Sequence, residues 1–143
     1  MNNPHYLVQR RSEPGLLGDR PAYFRVYFVF GTVHACWWNC FNDRYALMTE
    51  AERRDHGLHR LDDLVRGVAA VSGMNFFSSE IAVTRAQEFV LIDYVNDQCH
   101  LLTQSASPHN GVPDELVARM ARRLVEAAAN LIAGRAPSAG ATP

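Results

Sequence analysis

The chain has 143 residues, 48% hydrophobic and 20% charged, with 14 Lys+Arg against 15 Asp+Glu. That length and composition suit one globular domain with enough core to fold without a metal or disulfide staple. A net charge of −1 excludes general nucleic-acid affinity, which rests on a basic excess. No apolar run approaches the roughly 18–20 residues that span a bilayer. The opening Met1-Asn2-Asn3-Pro4-His5 lacks the charged and apolar regions of a signal peptide. The expectation is a cytoplasmic protein with neither a membrane nor a nucleic-acid partner. All 14 basic residues are Arg, which excludes lysine Schiff-base chemistry and a P-loop lysine. An odd set of cysteines, Cys36, Cys40 and Cys99, reads as reduced thiols. A zinc site drawn with His34 and His100 is less favoured than buried or half-buried thiols beside Trp37 and Trp38.

In chain order, residues 6–10 form a short β-like run, and 11–22 a polar loop with Pro14, Gly15, Gly18 and Pro21. Residues 23–30 are aromatic and β-branched, a strand. Gly31-Thr32 has the form of a Gly-first hairpin turn, and 33–38 return as a second strand, with a short strand after it at 45–48. Thr49 stands three residues before Glu52, the spacing of a capping box, and starts a short helical turn. Residues 58–72 carry Leu58, Leu61, Leu64, Val65, Val68 and Val71 at helical spacing, and Gly73 ends that helix. Residues 76–84 and 89–95 predict a second hairpin, apolar enough to be central in a sheet. After a long loop over 96–112, Pro113 opens the last helix as a first-turn proline. Its apolar stripe runs through Leu116, Met120, Leu124, Ala128 and Leu131. Arg119, Arg122 and Arg123 are read as a solvated face paired with Glu115 and Glu126. Residues 135–143 are expected to be disordered. This order describes an α+β domain, an antiparallel sheet with helices on one face.

Chemistry-bearing groups gather on the second hairpin: Glu80 in its first strand, and Asp93, Asn96 and Asp97 at the end of its second. Adjacent antiparallel strands bring such groups within a few ångströms. Carboxylates and an amide oxygen are hard ligands suited to Mg²⁺ held with phosphates. The competing reading is an Arg partner for Glu80, or a polar sheet face. For Trp37-Trp38, strand alternation sends one ring inward and the other outward. His56 and His59 are read as solvated.

The chain also resembles the C-terminal half of the ATP-grasp fold, as in carboxylate–amine ligases of the glutathione synthetase and D-alanine–D-alanine ligase type. The resemblance is carried by Phe24-Arg25-Val26 with Gly31 and Val33, by the run Gly73 to Ile81 containing Glu80, and by Phe89 to Asp97 containing Asp93 and Asn96. It covers residues 6 to about 133. It implies that residues 1–134 form one ATP-grasp-like C-terminal lobe, with ATP and Mg²⁺ as cofactors. By position, Glu80, Asp93 and Asn96 would be metal ligands. Arg25 would meet phosphate or an acyl-phosphate intermediate, a role suited to a bidentate guanidinium. Leu7-Val8-Gln9-Arg10 resembles the strand lining the adenine pocket, which makes Val8, Gln9 and Arg10 nucleotide-binding candidates. The other reading of Arg25 is a cross-strand ion pair.

Two departures from the family pattern bear on function. The family has acid-x-Asn, whereas Asp93 and Asn96 are separated by two residues. In a regular strand they face opposite ways and converge only if the strand bulges or ends there; Asp97 is the alternative second ligand. The family's other lobe, with its phosphate-binding lysines and Gly-rich loop, is not seen in this sequence. The expectation is therefore an ATP/Mg²⁺-binding half-domain, inactive alone, whose partner is a chain carrying the missing lobe or a second copy. The alternative is a non-catalytic interaction domain that associates through the uncovered face. A third reading is an unrelated α+β fold with a small-molecule pocket beside Trp37 or Trp38.

Overall fold

The computed structural model describes residues 12–96, 99 and 101–135. The expected strand at 6–10, the nucleotide-binding candidates Val8, Gln9 and Arg10, the residue Asp97 and the tail from 136 lie outside the described residues.

Two short strands, β1 (Leu16–Leu17) and β2 (Arg20–Pro21), pair within the expected loop. The main sheet comprises β3 (Tyr23–Val29), β4 (Thr32–Asn39), β5 (Arg44–Leu47), β6 (Phe76–Val83) and β7 (Phe89–Asn96). Its order is β5-β4-β3-β6-β7, antiparallel throughout. The helices are α1 (Glu50–Asp55), α2 (Arg60–Ser72) and α3 (Asp114–Ile132). The α+β class and antiparallel sheet are those expected from sequence. No described helix is long and apolar enough to cross a membrane.

The centre of the sheet is β3, whose seven residues are all buried. The second hairpin is not central as expected: among the described strands β7 is the edge, and its residues 89–93 are only half-buried. The helices also do not share one face. Leu58, Leu61 and Val65, at and before α2, pack with Phe24, Val26, Phe28, Trp37, Phe77 and Ile81. Leu116 and Met120 of α3 pack with Tyr27, Val29, Cys36 and Tyr45. These are alternate residues of the same strands, so the two helices cover opposite faces. Each helix has its own apolar stripe, and a sheet apolar on both sides needs both.

Local signals set the helix ends. The capping box forms as expected, with Glu52 N–H donating to Thr49 Oγ1 at 3.1 Å and Thr49 N–H to Glu52 Oε2 at 2.8 Å. Gly73 closes α2 in the left-handed region at φ 70°. Pro113 is the N-cap of α3 rather than a first-turn residue. In the preceding loop Thr103 bridges Val112. A Cβ on Gly111 would collide with the Thr103 carbonyl oxygen, so only glycine allows that approach.

The first hairpin turns at Phe30-Gly31, one residue before the expected position, with φ 43° and 89°. Two left-handed residues match the twist of a two-residue hairpin, but a phenylalanine there is strained. Arg123 holds it. Its Nε donates to the Phe30 carbonyl at 3.1 Å, its second guanidinium nitrogen donates to the same oxygen, and the side chain pairs with Glu126 at 3.6 Å. Arg123 is therefore not on a solvated face as expected. It is 8% exposed, because this position of α3 faces the sheet at its hairpin end.

Candidate functional site

The face that α3 covers has two ends. At one, Tyr27, Val29 and Cys36 lie with the helix. Two to four residues along the same strands, beyond that apolar cluster, the same face carries Tyr23, Arg25, Trp38 and Glu80. The sheet register puts Arg25 opposite Cys36 on β4 and opposite Glu80 on β6, and Glu80 opposite Asp93 on β7. Three strands thus place a guanidinium and two carboxylates in one cross-sheet row.

Arg25 Nη2 lies 2.6 Å from Glu80 Oε1, with side chains 10% and 15% exposed. Tyr23 Oη donates to Glu80 Oε2 at 3.1 Å. The Arg25 guanidinium carbon lies 4.6 Å from the centre of the Trp38 ring, which is within cation–π range. Trp38 in turn meets Tyr23 edge-on at 5.2 Å and Tyr45 at 6.1 Å. The tryptophans lie on opposite faces as expected, Trp37 in the core under α2, but Trp38 does not point outward: it packs half-buried against the second core cluster. Tyr23 was not singled out from sequence. Its signal is its place two residues before Arg25 on the same strand, which fixes it to the same face.

Burial pushes the Glu80 carboxyl above the ordinary range. Arg25 and the Tyr23 hydroxyl oppose that shift, and the facing Asp93 adds to it. Burial also raises the Tyr23 hydroxyl, helped by the Glu80 charge. Cys36, fully buried with its Sγ 3.6 Å from the Arg25 carbonyl, is pushed up to about 12 by burial and is inert at neutral pH. Cys40 is half-buried.

β7 is irregular at the residues of interest. Glu80 pairs with Asp93 and Ser78 with Asn96, with a register shift between these pairs and another between Glu80 and Ile81. Two residues on β6 therefore match three on β7. The sequence requires an irregularity of this kind if Asp93 and Asn96 are to act together.

As a metal site the row offers hard oxygen donors, the chemistry Mg²⁺ selects. Arg25 pairs with Glu80, and the facing Asp93 charge acts against the Glu80 carboxylate, a repulsion that a divalent cation would relieve. The guanidinium Nε of Arg25 and the indole Nε1 of Trp38 are buried with no acceptor, and such donors call for an oxygen. These two donors and the facing carboxylates are the features that bear on a magnesium–phosphate group. Glu80, however, already has one oxygen on Arg25 and the other on Tyr23. Among the described residues no three His, Cys, Asp or Glu side chains cluster as a metal site. Comparisons with protein-family models, with curated proteins and with solved structures return no match.

Proposed function

We propose that the chain supplies one wall of an ATP- and Mg²⁺-binding site related to the carboxylate–amine ligases of the ATP-grasp type. The observation that carries this reading is the cross-sheet row Arg25–Glu80–Asp93, with the register shift between the Asp93 and Asn96 pairs. Glu80, Asp93 and Asn96 would hold the ion. When bound, Mg²⁺ supplies positive charge to phosphate oxygens during phosphoryl transfer. Arg25 orients the phosphate and stabilises charge on it, and its fixed stacking on Trp38 keeps the fork in place. Tyr23 holds the Glu80 carboxylate in one orientation. The nucleotide-binding candidates Val8, Gln9 and Arg10 and the acyl and amine substrates rest on the resemblance alone. Activity is expected only with the cations of a second lobe, supplied by a partner chain or a further segment.

The test is calorimetric titration of the folded chain with a non-hydrolysable ATP analogue, with and without Mg²⁺, using wild type, Asp93→Asn and Glu80→Gln. Saturable binding that needs Mg²⁺ and is weakened at least tenfold by Asp93→Asn supports the reading. Absence of binding at millimolar nucleotide excludes a self-sufficient nucleotide site.

A second reading is favoured by the saturation of both Glu80 oxygens by Arg25 and Tyr23. On it the row is a structural ion pair in a non-catalytic interaction domain. Unchanged thermal stability with Mg²⁺ and nucleotide, together with self-association, supports this alternative.

A further inference from the structure

At the end of the sheet beyond the Arg25–Glu80 row lies a cleft of about 730 Å³, a size typical of small-molecule sites. Four separate segments build it. Pro14 and the preceding residues are tied to the sheet by the Pro14–Thr84 bridge and by Gly15 N–H donating to the Val83 carbonyl at 2.7 Å. The β1–β2 hairpin contributes Leu16 and Pro21, the turn after β4 contributes Cys40 and Phe41, and the β6–β7 turn contributes Arg85. Tyr23 also lines it, and the Tyr23 hydroxyl reaches Glu80.

The lining has a definite chemistry. Leu16 and Phe41 are 69% and 74% exposed, two large apolar side chains left in water at one cavity. Burying them against a ligand is favourable at about 25 cal/mol per Å². Of the two charged residues lining the cleft, Glu13 has a partner. Arg85 makes no ion pair or side-chain hydrogen bond among the described residues. Among the described lining residues Arg85 is the one guanidinium, and a single guanidinium suits a carboxylate.

We propose that this cleft binds a small carboxylic acid with an apolar or aromatic body, its carboxylate on Arg85 and its body against Leu16, Phe41 and Tyr23. The cleft adjoins the Arg25–Glu80 row and shares Tyr23 with it, but binding in the cleft does not depend on nucleotide or metal. Cys40 in the lining serves as a reporter.

The experiment titrates the full chain, without nucleotide or Mg²⁺, with 3-phenylpropionate, 3-phenylpropylamine and inorganic phosphate. Binding is read by calorimetry and by protection of Cys40 from iodoacetamide, mapped by mass spectrometry. The expected result is saturable binding of 3-phenylpropionate that protects Cys40 and leaves Cys99 labelling unchanged. Neither the amine nor phosphate should compete. Arg85→Gln, at an exposed turn, should weaken binding about tenfold, the worth of one charged hydrogen-bonded contact. Asp93→Asn should leave binding intact, which separates this site from the phosphate row. Equal binding of the amine, unaltered affinity in Arg85→Gln, or no saturation by a folded sample would overturn the proposal. So would Cys40 protection that tracks protein concentration rather than ligand, which would mark the cleft as a contact between copies.

Discussion

The two faces of the central sheet use the same strands for different ends. Under α2 the face is apolar apart from the buried Ser79 opposite Val26, with Phe24, Val26, Phe28, Trp37, Phe77 and Ile81 at most 8% exposed. The opposite face is graded. It starts apolar at Val29 and Tyr27 under α3 and ends in the Tyr23, Arg25, Glu80 and Trp38 cluster. Strand alternation makes this division possible, because adjacent residues serve opposite faces. One face pays the entropy of folding, which leaves the other free to keep a charged row that packing alone would not select.

Several substitutions test that contrast, and the largest effect belongs to the apolar face. Phe77→Ala should cost about 3–5 kcal/mol in denaturant unfolding; a cost near 1 kcal/mol would mean that this face is not the main core. On the graded face, Glu80→Ala should cost about 3 kcal/mol, because it leaves Arg25 buried without its counterion. The double change Arg25→Met with Glu80→Met should return stability to within about 1 kcal/mol of wild type. Such recovery would show that the pair is not kept for stability. Full loss in the double variant would make the row part of the core.

A smaller, pH-dependent effect comes from His34, beside Arg119 of α3. Its Nε2 lies 3.0 Å from Thr32 Oγ1. Burial, aided by the Arg119 charge, lowers its pKa from 6.5 to about 4. The unfolded chain takes up a proton below pH 6.5 while the folded chain resists until about 4. Stability from this group is therefore complete above 6.5 and is lost as pH falls towards 4, at most about 3 kcal/mol in all. His34→Gln should flatten unfolding free energy against pH over that window. The smallest effect is outside both faces: Thr49→Ala should remove about 1 kcal/mol by ending the capping box, read by thermal unfolding.

What was legible in the sequence was mostly local. Thr49 with Glu52 and Gly73 mark helix ends through contacts within four residues, and the period of residues 23–38 marks a buried hairpin. Arg123 was misread because its partner, the Phe30 carbonyl, is 93 residues away. Helical spacing around Arg123 gave no sign of it. The placement of α3 on the second face was equally hidden, since an apolar stripe states that a helix packs but not on which side. Position β7 at the edge follows from the order of pairing, which composition does not encode. In the site, the Glu80–Asp93 pairing was readable from a hairpin with a short turn. The Tyr23 contact needed the third strand, and the β7 register shift could be posed from the Asp93–Asn96 spacing only as a requirement.

The most direct test of the magnesium–phosphate assignment is paramagnetic broadening by Mn²⁺, in place of Mg²⁺, in amide NMR spectra of the chain with an ATP analogue. The expected result is broadening centred on Glu80 and Asp93, dependent on nucleotide and lost in Asp93→Asn. Broadening centred elsewhere, or none at Glu80 and Asp93 in a folded sample saturated with nucleotide, would contradict the assignment.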